Sequence, residues 1–296
     1  MDSGSLWDWL TSATAPCVLH SRSEERLLEG VVKVVLAKYD PLLQWSSLPF
    51  FPEYTDHGPK HLSDVLSTSC DLIGTDAWSV LTPADAAGII VSTLFHDLGM
   101  PIAEDGFFAL TNKHNDTILI PRTDTQPWPT LWENFILETK RFDQKERMRI
   151  FGDSLPVEVP ARQSNLLTER DRKLIGEFIR RHHPRLAHEF ALFGFQGSSK
   201  RLNAISEADY SFLDICGLIA RSHGSGLRRF LPYLEQHYSS RMFNGMHPLF
   251  LMALLRVSDY LQIQAERAPT YSLSFEANRE PKGLALPGCF GNFFVA

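Results

Sequence analysis

TPADAAGIIVSTLFHDLGMP, residues 82–101, is the stretch from which the rest of the chain can be read. Thr82 is a good helix N-cap and Pro83 suits a first turn, where no amide donor is required. Asp85 stands three positions after the cap, where its carboxylate closes a capping box. A strongly apolar helix follows and is expected to stop at Gly99 and Pro101. Near its end, His96 and Asp97 place an imidazole and a carboxylate side by side at the edge of a core. Cations are favourable at a helix C-terminus, which accounts for His96 but not for Asp97, whose charge opposes the dipole. Both side chains bind divalent metals, and a buried carboxylate needs such a partner or a hydrogen-bond network. The doublet therefore points toward a metal.

The same helix-start devices recur on both sides. SEERLLEGVVKVVLAKYD opens at Ser23 with helical spacing of its apolar residues. GPKHLSDVLSTSCDLIG has Pro59 at a first helical position and closes at Gly74. Thr168 and Asp171 repeat the capping box before a helix expected to close at His182 and His183, ahead of Pro184. Ser206 and Asp209 repeat it again before a helix ending at Gly224, and a last helix runs from Pro248 to a point before Pro269. Residues 102–130, with Pro121, Pro127 and Pro129, read as a long loop or insertion. After Pro269, TYSLSFEANRE alternates like a strand, and the apolar GCFGNFFVA either leads into a further domain or packs back on the helices.

The bulk properties set limits. With 296 residues, 44% of them apolar, the chain can bury a full core as one large domain or two small ones. A net charge of -6 argues against general binding of duplex nucleic acid, while leaving room for a nucleotide or single strand in a local basic cleft. Cys17, Cys70, Cys216 and Cys289 form no C-x-x-C pair and read as reduced thiols. The acidic start MDSGSLWDWL lacks a secretory pattern, and no apolar run is long enough to span a bilayer, so a cytoplasmic protein without membrane contact is expected.

Further histidines and aspartates fall in similar places. YTDHGPKHLSDVL, residues 54–66, carries His57 and His61 four apart, with Pro59 making a turn into a helix the better picture than one helix through both. His182 and His183 precede Pro184, and His223 sits in GLIARSHG at the end of another apolar helix. Asp259, in LLRVSDYLQI, has bulky apolar residues on both sides, where an ionised carboxylate costs several kcal/mol unless a positive group meets it. Each has a plain explanation as a helix-end cation or a surface break. Jointly, the order His, His-Asp, His, His, Asp across separate apolar helices fits that explanation poorly.

HLSDV, LFHDLG and RVSDYL, joined by HPRLA and ARSHG, are the segments by which the chain resembles the HD-domain superfamily of metal-dependent phosphohydrolases, over roughly residues 50–268. The resemblance implies an all-α HD-domain helical bundle at 50–268, with 102–130 as an insertion, a helical extension at 1–49, and a strand-like or irregular tail at 269–296. It makes His61, rather than His57, the first metal ligand, followed by His96, Asp97 and Asp259, which suffice for one ion. His183, favoured over His182, and His223 would add a second ion, with Asp97 bridging. One or two divalent transition metals are implied, among Fe, Mn, Zn, Ni and Co.

The activity implied is cleavage of a phosphoester, on a phosphorylated small molecule such as a nucleotide or cyclic nucleotide, by a metal-activated hydroxide. Asp97 and His57 are the catalytic candidates; Lys60, Arg180, Arg181, Arg185 and His182 are the candidates for substrate contact. His188, His114 and His247 match no slot, and His247 reads as a cap before Pro248. YTDHGPKH, HDLGMP and SDYLQIQAERAP also resemble a bacterial subgroup in which the HD domain precedes an Hsp90-like (GHKL) ATPase domain, absent from this chain. A catalytically silent sensor or regulatory module for such an adjoining domain is the competing expectation, and a metal-free helical scaffold a third.

Overall fold

The structure is a computed structural model, and it describes residues 22–43, 48–51, 58–73, 80–112, 123–161, 166–195 and 210–262. These residues form ten α-helices, and no strand occurs among them. In chain order they are α1 (Arg22–Leu43), α2 (Pro59–Leu72), α3 (Pro83–Phe95), α4 (Glu104–Leu110) and α5 (Trp128–Thr139). There follow α6 (Gln144–Phe151), α7 (Glu169–Phe193), α8 (Tyr210–Ser222), α9 (Leu231–His237) and α10 (Pro248–Leu261). The all-α expectation holds. No helix among the described residues is long and apolar enough to cross a membrane.

The segment that opens the sequence reading is the middle of the bundle. From Ala84 to Phe95 every residue of α3 but Ala86 is buried, as a helix apolar all round must be, and α1, α2, α7, α8 and α10 pack around it. The capping box forms as expected: the Asp85 amide donates to Thr82 Oγ1 at 3.1 Å, and the Thr82 amide donates to Asp85 Oδ2 at 3.1 Å. Thr168 and Asp171 do the same for α7. Asp85 also accepts from the His247 backbone amide at 2.6 Å and binds its Nδ1 at 2.8 Å, which ties the start of α10 to the start of α3.

Three expectations need correction. The α3 helix stops at Phe95 and not at Gly99, so His96 caps it and Asp97 lies in the turn beyond. The α7 helix does not close before Pro184; it runs on to Phe193. A proline inside a helix costs about 3 kcal/mol through its missing N–H and ring clash. Here the continuation buries Leu186, Ala187, Phe190, Ala191 and Leu192, several side chains each contributing about 1.5–3 kcal/mol, which outweighs the break. Residues 102–130 are not one long loop. They contain α4 and the start of α5, because Pro129 sits in a first turn and Glu104 and Asp105 favour a helix N-terminus. Ser206, Asp209, Cys17, Cys289 and the strand-like tail lie outside the described residues.

A buried polar network fixes α7 against α8 and α9. Asp214 is fully buried and accepts from His188 Nε2 at 2.7 Å, Tyr233 Oη at 2.7 Å and Tyr238 Oη. Burial opposes its charge, but these donors hold its carboxyl below the usual range. His188, without a slot in the sequence reading, is therefore a partner of this carboxylate, five residues along the helix from His183.

Candidate metal centre

The helices bring six side chains to one place. His61 comes from the first turn of α2, His96 and Asp97 from the end of α3, His183 from mid-α7, His223 from just beyond α8, and Asp259 from the last turn of α10. Registers are set by contacts close to the ligands. Ser69 Oγ donates to Ser258 Oγ at 2.8 Å, and Gln262 donates to Thr68, so α10 presents Asp259 toward α2. Arg256 Nη1 donates to the Ser222 carbonyl at 3.0 Å and to the Ser225 carbonyl, clamping α10 on the turn that holds His223. Two glycines permit the close approach. A Cβ at Gly99 would lie 2.8 Å from the His183 carbonyl oxygen, and one at Gly224 would lie 2.3 Å from Pro184 Cγ.

Within the cluster the donors form two groups. His61 and His96 face each other through Nε2 at 3.1 Å, and Asp259 Oδ1 lies 3.6 and 3.7 Å from the same two nitrogens. His183 and His223 face each other through Nε2 at 2.8 Å. Asp97 stands between the groups. Its Oδ2 is 3.4 Å from His61 and 3.1 Å from His96, while its Oδ1 is 3.4 Å from His183 and 4.0 Å from His223. Ligands about 2.1 Å from one ion sit about 3.0 Å apart at right angles and about 3.4 Å apart in a tetrahedron, values that the separations of 2.8–4.0 Å here bracket. His61, His96 and Asp259 thus could hold one ion, and Asp97, His183 and His223 another.

The ring protons favour the same conclusion. Nδ1 of His96 donates to the Thr93 carbonyl at 2.6 Å, that of His183 to the Arg180 carbonyl at 2.8 Å, and that of His223 to the Ala220 carbonyl at 2.6 Å. With Nδ1 so committed, each ring in its neutral form has its Nε2 lone pair toward the cleft, the tautomer a metal ligand needs. Burial, then the neighbouring His223, holds His183 down at about 3, and burial also holds His223 below the usual histidine value. At neutral pH no proton separates those two lone pairs, so a cation fits the gap. His96 differs: burial opposes its charge, but the carboxylates of Asp97 and Asp259 prevail and raise it well above the usual value. Burial likewise opposes the charge of Asp259, yet the neighbouring His96 keeps it low.

The basic residues named for substrate contact are placed differently. Lys60 pairs with Asp64 at 3.0 Å on the exposed side of α2. Arg180 and Arg181 converge on Glu177 at 2.8 and 3.0 Å, and Arg181 also reaches Glu138 at 2.6 Å. Burial resists the charge of Glu177, and these guanidiniums overcome it, bringing the carboxyl to about 2. Arg185 is buried against Glu189 at 2.8 Å and Asp124 at 3.4 Å, donates to the Gln126 carbonyl at 2.7 Å, and stacks on Trp128. His182 packs between Phe178 and Trp128, and burial, with Arg185 and Arg181 nearby, lowers it to about 4. His57 lies outside the described residues. Sequence reasoning missed Asp124, which also binds Arg221 and pins the segment before α5; the lack of periodicity around it gave no signal. It missed the three carbonyls as well, although a common i−3 spacing from each histidine relates them.

Helices that deliver a His-Asp doublet, three further histidines and a late aspartate to one point define an HD-type helical domain. The chain matches the HD-CE family over residues 51–280, and it belongs to that family. Comparison with curated proteins gave no match, and neither did comparison with solved structures.

Proposed function

We propose that the chain is a metal-dependent phosphohydrolase that cleaves a phosphoester of a nucleotide or cyclic nucleotide. The observation that carries this reading is the facing pair His183 and His223, two part-buried lone pairs 2.8 Å apart with both Nδ1 protons committed elsewhere. A bound divalent ion supplies Lewis acidity and brings the pKa of a coordinated water toward neutrality. The chain's own part is to hold its donors in place. Asp97 offers one oxygen to each group, and the Nδ1 bonds keep His96, His183 and His223 from rotating. Two carboxylates and four neutral imidazoles do not neutralise two dications. The centre therefore keeps positive charge for a phosphate.

One observation favours a second reading. Lys60, Arg180, Arg181 and Arg185 each already meet a carboxylate, so gripping a phosphate with them would compete with an ion pair. On that reading the domain is a catalytically silent sensor for an adjoining domain, the Hsp90-like ATPase of the resemblance above.

Purified protein loaded separately with Mn, Fe, Co, Ni or Zn should hydrolyse bis-p-nitrophenyl phosphate and at least one member of a nucleotide and cyclic-nucleotide panel. Chelation should abolish that turnover. Bound metal with no turnover across the panel would establish the sensor instead.

A further inference from the structure

Two of the three Nδ1 acceptors are carbonyls at a helix end. The partner of the Thr93 carbonyl in a continuing helix would be the Asp97 amide, but α3 has stopped at Phe95. The Ala220 carbonyl would meet the Gly224 amide, but α8 has stopped at Ser222, and it takes the His223 amide at 3.3 Å beside the ring instead. The Arg180 carbonyl is different, because it lies in the middle of α7, where the i+4 amide normally occupies it. Residue 184 is proline and has no amide proton to give.

We infer that Pro184 is a positioning residue: by withholding its N–H, it leaves the Arg180 carbonyl to His183 Nδ1 and so aims His183 Nε2 at the second ion position. One helix can then present a ligand from its interior and still continue to His188 and Phe190, which anchor it in the core. The ring also fills the space over Gly224, beside His223, so the same residue touches both nitrogen ligands' supporting turns. Nothing in this rests on the proline as a chain break, since α7 is unbroken. The inference deepens the two-ion reading and rests on it for its consequence, though not for its geometry.

The test is Pro184→Ala in the full chain, with Pro184→Ser as a second variant carrying the same amide. In metal-free protein, ¹⁵N chemical shifts of the imidazoles should show His183 as the Nδ1–H tautomer in the wild type and as a mixture in both variants. His223 should keep its Nδ1–H tautomer. Titration with Mn or Zn should show the ion held with His183 and His223 weakened ~10–100-fold, the usual effect of removing a hydrogen bond behind a ligand, with the other ion changed less than about twofold. An unchanged His183 tautomer in a folded variant overturns the inference. Failure of both variants to fold overturns it too, because packing on Gly224 would then be what the position requires. The tautomer is read without metal, so its outcome is separate from the wild-type stoichiometry, which decides the two-ion reading alone.

Discussion

Asp97→Asn is expected to abolish the second ion position and to weaken the first by more than the ~10–100-fold that follows loss of a supporting hydrogen bond. The asymmetry follows from the geometry. Among the described residues, Oδ1 of Asp97 is the one carboxylate oxygen grouped with His183 and His223, so without it two neutral imidazoles would have to hold a dication unaided by them. Oδ2 serves His61 and His96, where Asp259 stays behind to supply charge. Asparagine preserves the volume and one acceptor, so the fold should be intact by circular dichroism and by urea midpoint. Asp259→Asn should reverse the pattern, weakening the first ion while the second stays. Metal content by inductively coupled plasma spectrometry, alongside turnover of bis-p-nitrophenyl phosphate, reads both variants. Two ions retained in folded Asp97→Asn would disprove the bridge.

Metal removal should cost thermal stability, and more so as pH rises. At a free concentration one hundred times Kd, an ion bound only by the folded state adds about 2.7 kcal/mol. In a domain of this size that is a shift of about 5–10 °C in Tm for each ion. The pH dependence comes from His96. In the metal-free protein its value is raised, against burial, by Asp97 and Asp259. A raised histidine contributes stability that is complete below the unfolded value of about 6.5 and is lost as pH climbs through its own higher value. The chelated protein should therefore lose part of its stability over that alkaline range. Ion binding requires the same imidazole without its proton, so stabilisation by metal grows across the same range. Scanning calorimetry from pH 6 to 9, with and without chelator, should show two curves that diverge upward. A gap that closes with rising pH would mean that His96 does not exchange its proton for an ion.

What could be read in the sequence was what depends on neighbours along the chain. Thr82 with Asp85 and Thr168 with Asp171 announced their helices because a capping box is complete within four residues. The doublet at His96 and Asp97 stood out because a carboxylate opposes a helix C-terminus, and the structure places Asp97 directly after the cap, where the neighbouring imidazoles meet its charge. Pro184 misled, because a local rule ends the helix there while burial of residues far along it, such as Phe190, continues it. Pro127 and Pro129 misled for the opposite reason: they read as breaks, although Pro129 lies in the first turn of α5. Arg181 and Arg185 have local partners one helical turn away in Glu177 and Glu189, but only the fold adds Glu138 and Asp124, 43 and 61 positions away. The six converging side chains lay between these extremes, as single residues that only a family resemblance tied together.

The proposed function requires that Asp97 join two ion positions in one centre. That requirement is tested most directly by diffraction from crystals soaked separately in Mn and Zn, with data on both sides of each absorption edge. Two anomalous peaks are expected, one among His61, His96 and Asp259 and the other between His183 and His223, with Asp97 touching both. Peaks at surface carboxylates alone, or a centre without anomalous signal at saturating metal, would contradict it.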